Sequence, residues 1–473
     1  MLFNSYGYLF LFLPIALAGY FSIYVFHRSS AAALGWLVAA SLFFYAWWNP
    51  WHLPVVLGSM AFNFWLGRRI IASAQRKRHW LWLGIAGNLV LLGVFKYTHF
   101  AWEVVAGASG WQVAIPQIAL PLGISFFTFT QLAYLVDTAR GEVRETNPLH
   151  YALFVTFFPH LLAGPIIHHR EMMPQFADST NRIFNAGNFA RGLFLLALGL
   201  GKKVLIADPL GDAANAGYAN IEALTAGGAW MATLAYTFQI YFDFSGYTDM
   251  ALGAAQMFNI RLPANFNSPY LASNIQDFWR RWHMTLSRWL RDYLYIPLGG
   301  NKAGEARIAV NVMVTFVLGG LWHGAGWTFI VWGALHGAAL VLLRVWQRTG
   351  FRLPKWIAIL VTFLFVNVTW IFFRAHSLAD ARNMLRKLVP DATTLTSAHV
   401  NMLTLDAVGL PFAAPATSLM LLVAGVLVLL PRNSDLLTTR FAARKSEGAW
   451  AAALLVLGTL GLGQASQFLY FNF

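Results

Sequence analysis

The chain has 473 residues, of which 58% are hydrophobic and only 11% charged, with a formal net charge of +14. A soluble domain carries roughly a quarter charged residues, and no single core could bury this much apolar surface, so a water-soluble globular protein is excluded. The basic excess sits in short clusters between apolar runs, as in cytoplasmic loops facing anionic lipid, which argues against nucleic acid as a partner.

A membrane-crossing helix needs about 20 predominantly apolar residues. In chain order, apolar runs occupy 8–26, 31–48, 54–71, 79–95, 120–136, 151–163, 192–207 and 229–244. Then come 308–343, which holds more than one element, 356–373, 417–430 and 449–463. No basic residue precedes the first run and another apolar run follows it at once, which predicts a retained span rather than a cleaved signal. The expectation is an all-α polytopic membrane protein of about 11–13 transmembrane or re-entrant helices. One membrane domain over 1–473 is expected, with no internal repeat.

Positive-inside bias orients the first third: amino terminus outside, Arg28 inside, the Asn49–Pro50–Trp51 turn outside, the Arg68-to-Arg78 cluster inside. Arg432, Arg440, Arg444 and Lys445 read as cytoplasmic, which leaves Phe473 outside, and the loop 389–415, without Lys or Arg, reads as extracytoplasmic. Arg374, Arg382, Arg386 and Lys387 fall outside if 356–373 crosses fully. Either that segment does not cross, or the basic stretch lies on the outer face.

Four segments carry chemistry. Between Arg307 and Arg344 there is no Asp, Glu, Lys or Arg. A continuous helix there would run about 54 Å, past a hydrocarbon core of about 30 Å, so the chain must break. Gly319, Gly320, Gly324 and Gly326 mark the place. With basic flanks on both sides, the arms form a hairpin, each of about 15 residues or roughly 23 Å. That puts His323, flanked by Trp322 and Trp327, near a buried apex. An ionisable group at membrane depth is costly and usually functional; a hydrogen-bonded core histidine is the alternative. For His336, on the second arm, the core reading is the stronger.

The stretch 277–293 has Phe278, Trp282, Leu286, Trp289 and Tyr293 at helical spacing, with arginines on other faces, and predicts one interfacial helix with anchoring tryptophans. Arg280, Arg281 and Arg288 either snorkel there or receive phosphates of a nucleotide-bearing donor such as coenzyme A. His283 lies on the same stretch. Asp243, Ser245 and Tyr247, ending an apolar run, either line a polar tunnel with Trp322 and Trp327 or hold helices together. The turn around Gly164–Pro165–Ile166 has His160, His168 and His169 nearby, at no familiar metal-ligand spacing, and no metal is assigned.

Together these words resemble the membrane-bound O-acyltransferase family, most closely its bacterial alginate O-acetylase branch. The resemblance rests on Gly164–Pro165–Ile166, on Tyr241–Phe242–Asp243–Phe244–Ser245–Gly246–Tyr247, on 278–286 and on 319–327, with the opening 10–14 and the aromatic ending 468–473 in support. It implies a helical bundle with a thinned centre, a cytoplasmic cavity for the acyl donor and an opposing funnel for the acceptor. It also implies that His323 is the essential catalytic residue and His283 its partner.

The expected activity is transfer of acetyl from cytoplasmic acetyl-CoA to a periplasmic acceptor for exopolysaccharide O-acetylation of the alginate type. His323 serves as general base, and no cofactor is permanently bound. Without cysteine a thioester on this protein is impossible. The implied setting is the bacterial inner membrane with both termini periplasmic, beside a periplasmic acetyltransferase partner and a polysaccharide synthase complex. D-alanyl transfer from a carrier protein is the alternative within enzymes. A transporter, the alternative outside them, predicts a repeat that the sequence lacks. Alginate, cellulose and peptidoglycan all stay open as the polymer.

Overall fold

The computed structural model describes residues 1–73, 75–110, 115, 118–144, 146–162, 164–302, 304–390, 414–430, 433–464 and 469. Most of the loop 389–415, Arg432 and all of the ending 468–473 except Leu469 lie outside the described residues. Among those described, the regular elements are all helices. The chain divides into two compact units, each discontinuous in sequence.

The first unit comprises Met1–Gly199, Tyr247–Ala264 and Phe441–Leu455. Its opening span, Gly7–His27, ends where Arg28 turns left-handed at φ 50°. Ser29 then caps Ser30–Ala46 by accepting from the Ala32 N–H at 3.2 Å. That helix and Pro50–Ala72 are bent by 119° at the Asn49–Pro50 turn. Between Leu53–Ala72 and Lys77–Leu92, Asn63 and Asn88 exchange carboxamide hydrogen bonds of 3.2 and 2.6 Å. Gln131 Nε2 donates to Ser59 Oγ at 2.9 Å, and Gln131 Oε1 accepts from the Tyr151 hydroxyl at 3.0 Å, so these buried polar groups tie neighbouring helices together.

The second unit comprises Leu200–Gly246, Asn265–Arg440 and Val456–Phe473. At its centre Glu305–His323 and Trp327–Arg348 pair as the expected hairpin, with Lys355–Arg374 against the second arm. Glycine permits the approach. A Cβ on Gly320 would meet the Phe329 carbonyl, and one on Gly333 would meet that of Phe316.

The arms have 19 and 22 residues, not the expected number near 15, because the first begins at Glu305 and runs through His323 itself. At about 28 and 33 Å they match a hydrocarbon core, so arm length does not by itself fix His323 at mid-membrane.

Among the described residues, five helices are long and apolar enough to cross a bilayer, or six if the bent pair is one span. Phe26, 80% exposed, and Leu460, 75%, show an apolar outer surface. The chain is a multi-pass membrane protein. The expected span 229–244 lies within the 32-residue helix Ala226–Met257, whereas the run 151–163 breaks at Phe157 between Pro148–Thr156 and Phe158–Leu161.

The basic stretch after Lys355–Arg374 is amphipathic. Leu378–Lys387 buries Ala381 and Met384, and Lys387 Nζ donates to the Glu222 carbonyl at 2.6 Å. The Arg374 guanidinium lies over the Tyr218 ring, 5.3 Å from its centroid, and donates to Asn215 at 2.9 Å.

Candidate active site

The first arm ends at His323 because Gly324 leaves the helix in an extended conformation (φ −158°, ψ 145°) that any residue adopts. Glycine is needed there for space instead: the Phe329 ring occupies the volume that a Cβ would take. His323 is 3% exposed. Its ring sits 4.9 Å from that of Trp322, 5.2 Å from Trp332 on the second arm and 5.2 Å from Phe373. Three aromatic walls therefore cage the imidazole.

The stretch 277–293 is not one interfacial helix, as its periodicity predicted. It folds as Ile275–Trp279, a break, Met284–Leu290 and a wider turn at Arg291–Tyr295. His283 makes the break, at φ 43° and ψ 53°. A left-handed backbone is uncommon outside glycine, with histidine among the more tolerant residues. Trp279, Trp282 and Trp289 are buried in protein rather than anchored at a lipid interface, since Trp282 packs among Phe266, Phe278 and Trp370.

Two backbone bonds lay this break against the irregular stretch before it: Asn267 N–H to the Arg281 carbonyl at 2.9 Å, and Met284 N–H to the Asn265 carbonyl at 3.0 Å. The Asn265 side chain then satisfies a helix N-terminus that His283 does not cap. Its Oδ1 accepts from the Thr285 N–H at 3.2 Å and the Thr285 hydroxyl at 2.9 Å. His283 Nδ1 is 3.1 Å from the same oxygen. The fully buried His283 ring meets Phe244 at 4.8 Å and Trp322 at 6.4 Å, so Trp322 touches both histidines.

His336 is satisfied at both nitrogens. Nδ1 accepts from Trp279 Nε1 at 3.2 Å, and Nε2 lies 3.0 Å from the Thr369 hydroxyl, which itself donates to the Val366 carbonyl. These contacts make it the hydrogen-bonded core histidine that the sequence suggested.

Arg280 is exposed, and Arg281 donates to Asp277 Oδ1 at 2.7 Å while Arg288 is half-buried. Asp243 pairs with Lys203, which also holds Asp208, and accepts from the Leu469 N–H at 3.0 Å. Ser245 Oγ accepts from Lys202 at 3.4 Å. Tyr247 belongs to the first unit, where it stacks on Phe3 at 4.6 Å. Trp327 is 54% exposed at the start of the second arm. The structure thus joins His323, His283 and Trp322, while the contacts just described for Asp243 and Ser245 tie their helix to the Lys202–Ala207 turn and Tyr247 packs on the amino-terminal turn at Phe3.

Sequence reasoning missed Asn265, Trp332, Phe373 and Lys203. For Asn265 the only signal was a turn-rich Asn–Phe–Asn–Ser–Pro run. Among the described residues, no group of three or more His, Asp or Glu is placed to hold a metal ion.

The family model of MBOAT, the membrane-bound O-acyltransferase family, matches residues 122–379 and so takes in both histidines. The chain belongs to this family. The acyltransferase is 42% identical to a peptidoglycan O-acetyltransferase of Helicobacter pylori over 100% of this chain and 98% of the relative. It is 41% identical to a protein of Pseudomonas aeruginosa named as a probable alginate O-acetylase AlgI, over 81% of this chain and 74% of the relative. A teichoic acid D-alanyltransferase of Bacillus subtilis is 32% identical over 52% of this chain and 66% of the relative.

Proposed function

We propose that this acyltransferase carries acetyl from cytoplasmic acetyl-CoA to a hydroxyl acceptor on the far side of a bacterial inner membrane, for O-acetylation of a cell-surface polysaccharide. The observation that carries the reading is the pair of buried imidazoles, His323 and His283, contacting one tryptophan at the break of a glycine-packed hairpin. His323 removes the acceptor proton as its oxygen attacks the thioester carbonyl. The thiolate of coenzyme A then leaves and recovers that proton. With no cysteine to carry a thioester, direct passage of acetyl to the acceptor is the simplest route.

The aromatic cage adds a requirement. At 3% exposure His323 meets reactants only when the rings around it part. A thinned membrane centre suits that chemistry, because reagents from opposite faces then have a short path. Exposed Arg280, with Arg281 and Arg288, supplies guanidinium groups for the donor phosphates. A periplasmic acetyltransferase beside a polysaccharide synthase complex is the proposed partner, with both termini of the chain periplasmic.

On the polymer, the full-length similarity to a peptidoglycan O-acetyltransferase favours peptidoglycan over alginate as the eventual acceptor. The test is transfer of labelled acetyl from acetyl-CoA by the protein in vesicles, wild type against His323→Ala. Undiminished transfer by the variant overturns the catalytic assignment. Deletion of the gene, followed by analysis of acetylated muropeptides and exopolysaccharide, decides between the polymers. Arg280→Ala raises the donor KM about tenfold if its guanidinium holds a phosphate, and an unchanged KM removes it from that role.

A further inference from the structure

His283 is not free to choose its tautomer. The Thr285 backbone N–H can only donate, so the Asn265 atom that it meets at 3.2 Å is the carboxamide oxygen. His283 Nδ1 lies 3.1 Å from that oxygen, and two acceptors cannot share a hydrogen bond, so Nδ1 carries the hydrogen. In a neutral imidazole the other nitrogen is then bare. Nε2 is buried and has no hydrogen-bond partner among the described residues. The rings that flank it, Phe244 and Trp322, do not titrate.

Asn265 is built for this task from its oxygen side. Its Oδ1 takes three contacts, whereas its buried Nδ2 has no partner among the described residues. The main chain adds the bond from the Met284 N–H to the Asn265 carbonyl, which holds the two segments in register.

We propose that Asn265 is a positioning residue for acyl transfer: it holds His283 as the Nδ1–H tautomer, so that Nε2, bare of hydrogen, accepts a hydrogen bond from the coenzyme A thiol formed as the leaving group recovers its proton. Nδ1 keeps its hydrogen throughout the reaction. The inference rests on the acetyl-transfer reading, and on Thr285 to fix which carboxamide atom faces the ring.

Two variants test it. Asn265→Ala lowers kcat about 10- to 100-fold with the donor KM unchanged, because the ring can then turn a hydrogen toward the reactants. Asn265→Asp keeps all three hydrogen bonds and restores most of kcat at alkaline pH. The added carboxylate favours the imidazolium, whose Nε2 donates instead of accepting, so the acid limb of the rate profile moves up by about one pH unit. Equal losses in both variants with an unshifted profile overturn the proposal.

A second measurement does not depend on activity. In histidine-labelled protein, with the His283 signals assigned by their loss in His283→Gln, nitrogen chemical shifts report the tautomer. Nδ1–H is expected, and Nε2–H overturns the proposal even in a fully active enzyme. If no acetyl transfer is found in the wild type, the functional reading fails while the spectrum still decides whether Asn265 sets the ring.

Discussion

Lys203 and Asp243 form an ion pair of 2.6 Å in which each side chain is only 1% exposed. Asp208 closes on the same ammonium at 2.7 Å. Removing the cation is the harsher change, since Lys203→Met leaves two buried carboxylates facing each other. A loss of about 3–5 kcal/mol is expected. Asp243→Asn leaves Lys203 paired with Asp208 and costs less. Unfolding temperatures in detergent check the order; equal effects would show that the lysine is not what holds the group together.

The two arm histidines separate stability from chemistry. His336→Ala strands the Trp279 indole N–H and removes the ring from the Thr369 hydroxyl, which keeps its bond to the Val366 carbonyl. It should destabilise by about 2–4 kcal/mol and leave transfer per folded molecule within a few-fold of wild type. His323→Ala should do the reverse. Melting curves and single-turnover acetyl transfer on the same preparations compare them, and loss of transfer in His336→Ala at full stability contradicts the assignment.

The glycines of the hairpin are not equivalent. Gly333→Ala drives a methyl into the Phe316 carbonyl on the facing arm, which cannot yield without moving backbone. Gly319→Ala meets only the end of the Leu290 side chain, at 3.3 Å. Size-exclusion recovery after extraction should fall sharply for the first and little for the second. Small residues at close helix contacts in a membrane act in this way.

Phe373 forms one wall around His323, and the wall is removable. Phe373→Ala should open the imidazole to diethylpyrocarbonate, with the rate of carbethoxylation rising about tenfold or more as burial is lost. Mass spectrometry of the peptide carrying residue 323 follows it. An unchanged rate means that access is limited elsewhere.

Much of the hairpin was legible. A charge-free stretch too long for one crossing, with glycines clustered near its middle, left little choice but a break beside His323. The core role of His336 also followed from its neighbours. The break at His283 was not legible, because Phe278, Trp282, Leu286 and Trp289 keep a helical rhythm through a residue that leaves the helix. Hydrophobic spacing reports burial, and these side chains are buried although the helix breaks among them. Asn265 was hidden for another reason: its partner lies beyond a stretch without periodicity, so no local pattern joins them. Lys203 was passed over because only Asp208 is near it in sequence, while its other counter-ion, Asp243, comes from a separate helix.

The left-handed backbone at residue 283 acts as a filter on heredity. Of the residues that bear a side chain, asparagine, aspartate and histidine enter that conformation most readily, and all three are polar. Mutation at this site is therefore screened for geometry before chemistry is consulted. Drift among descendants should sample a short menu of hydrogen-bonding groups, and an aliphatic newcomer there should be penalised even where turnover is not under selection.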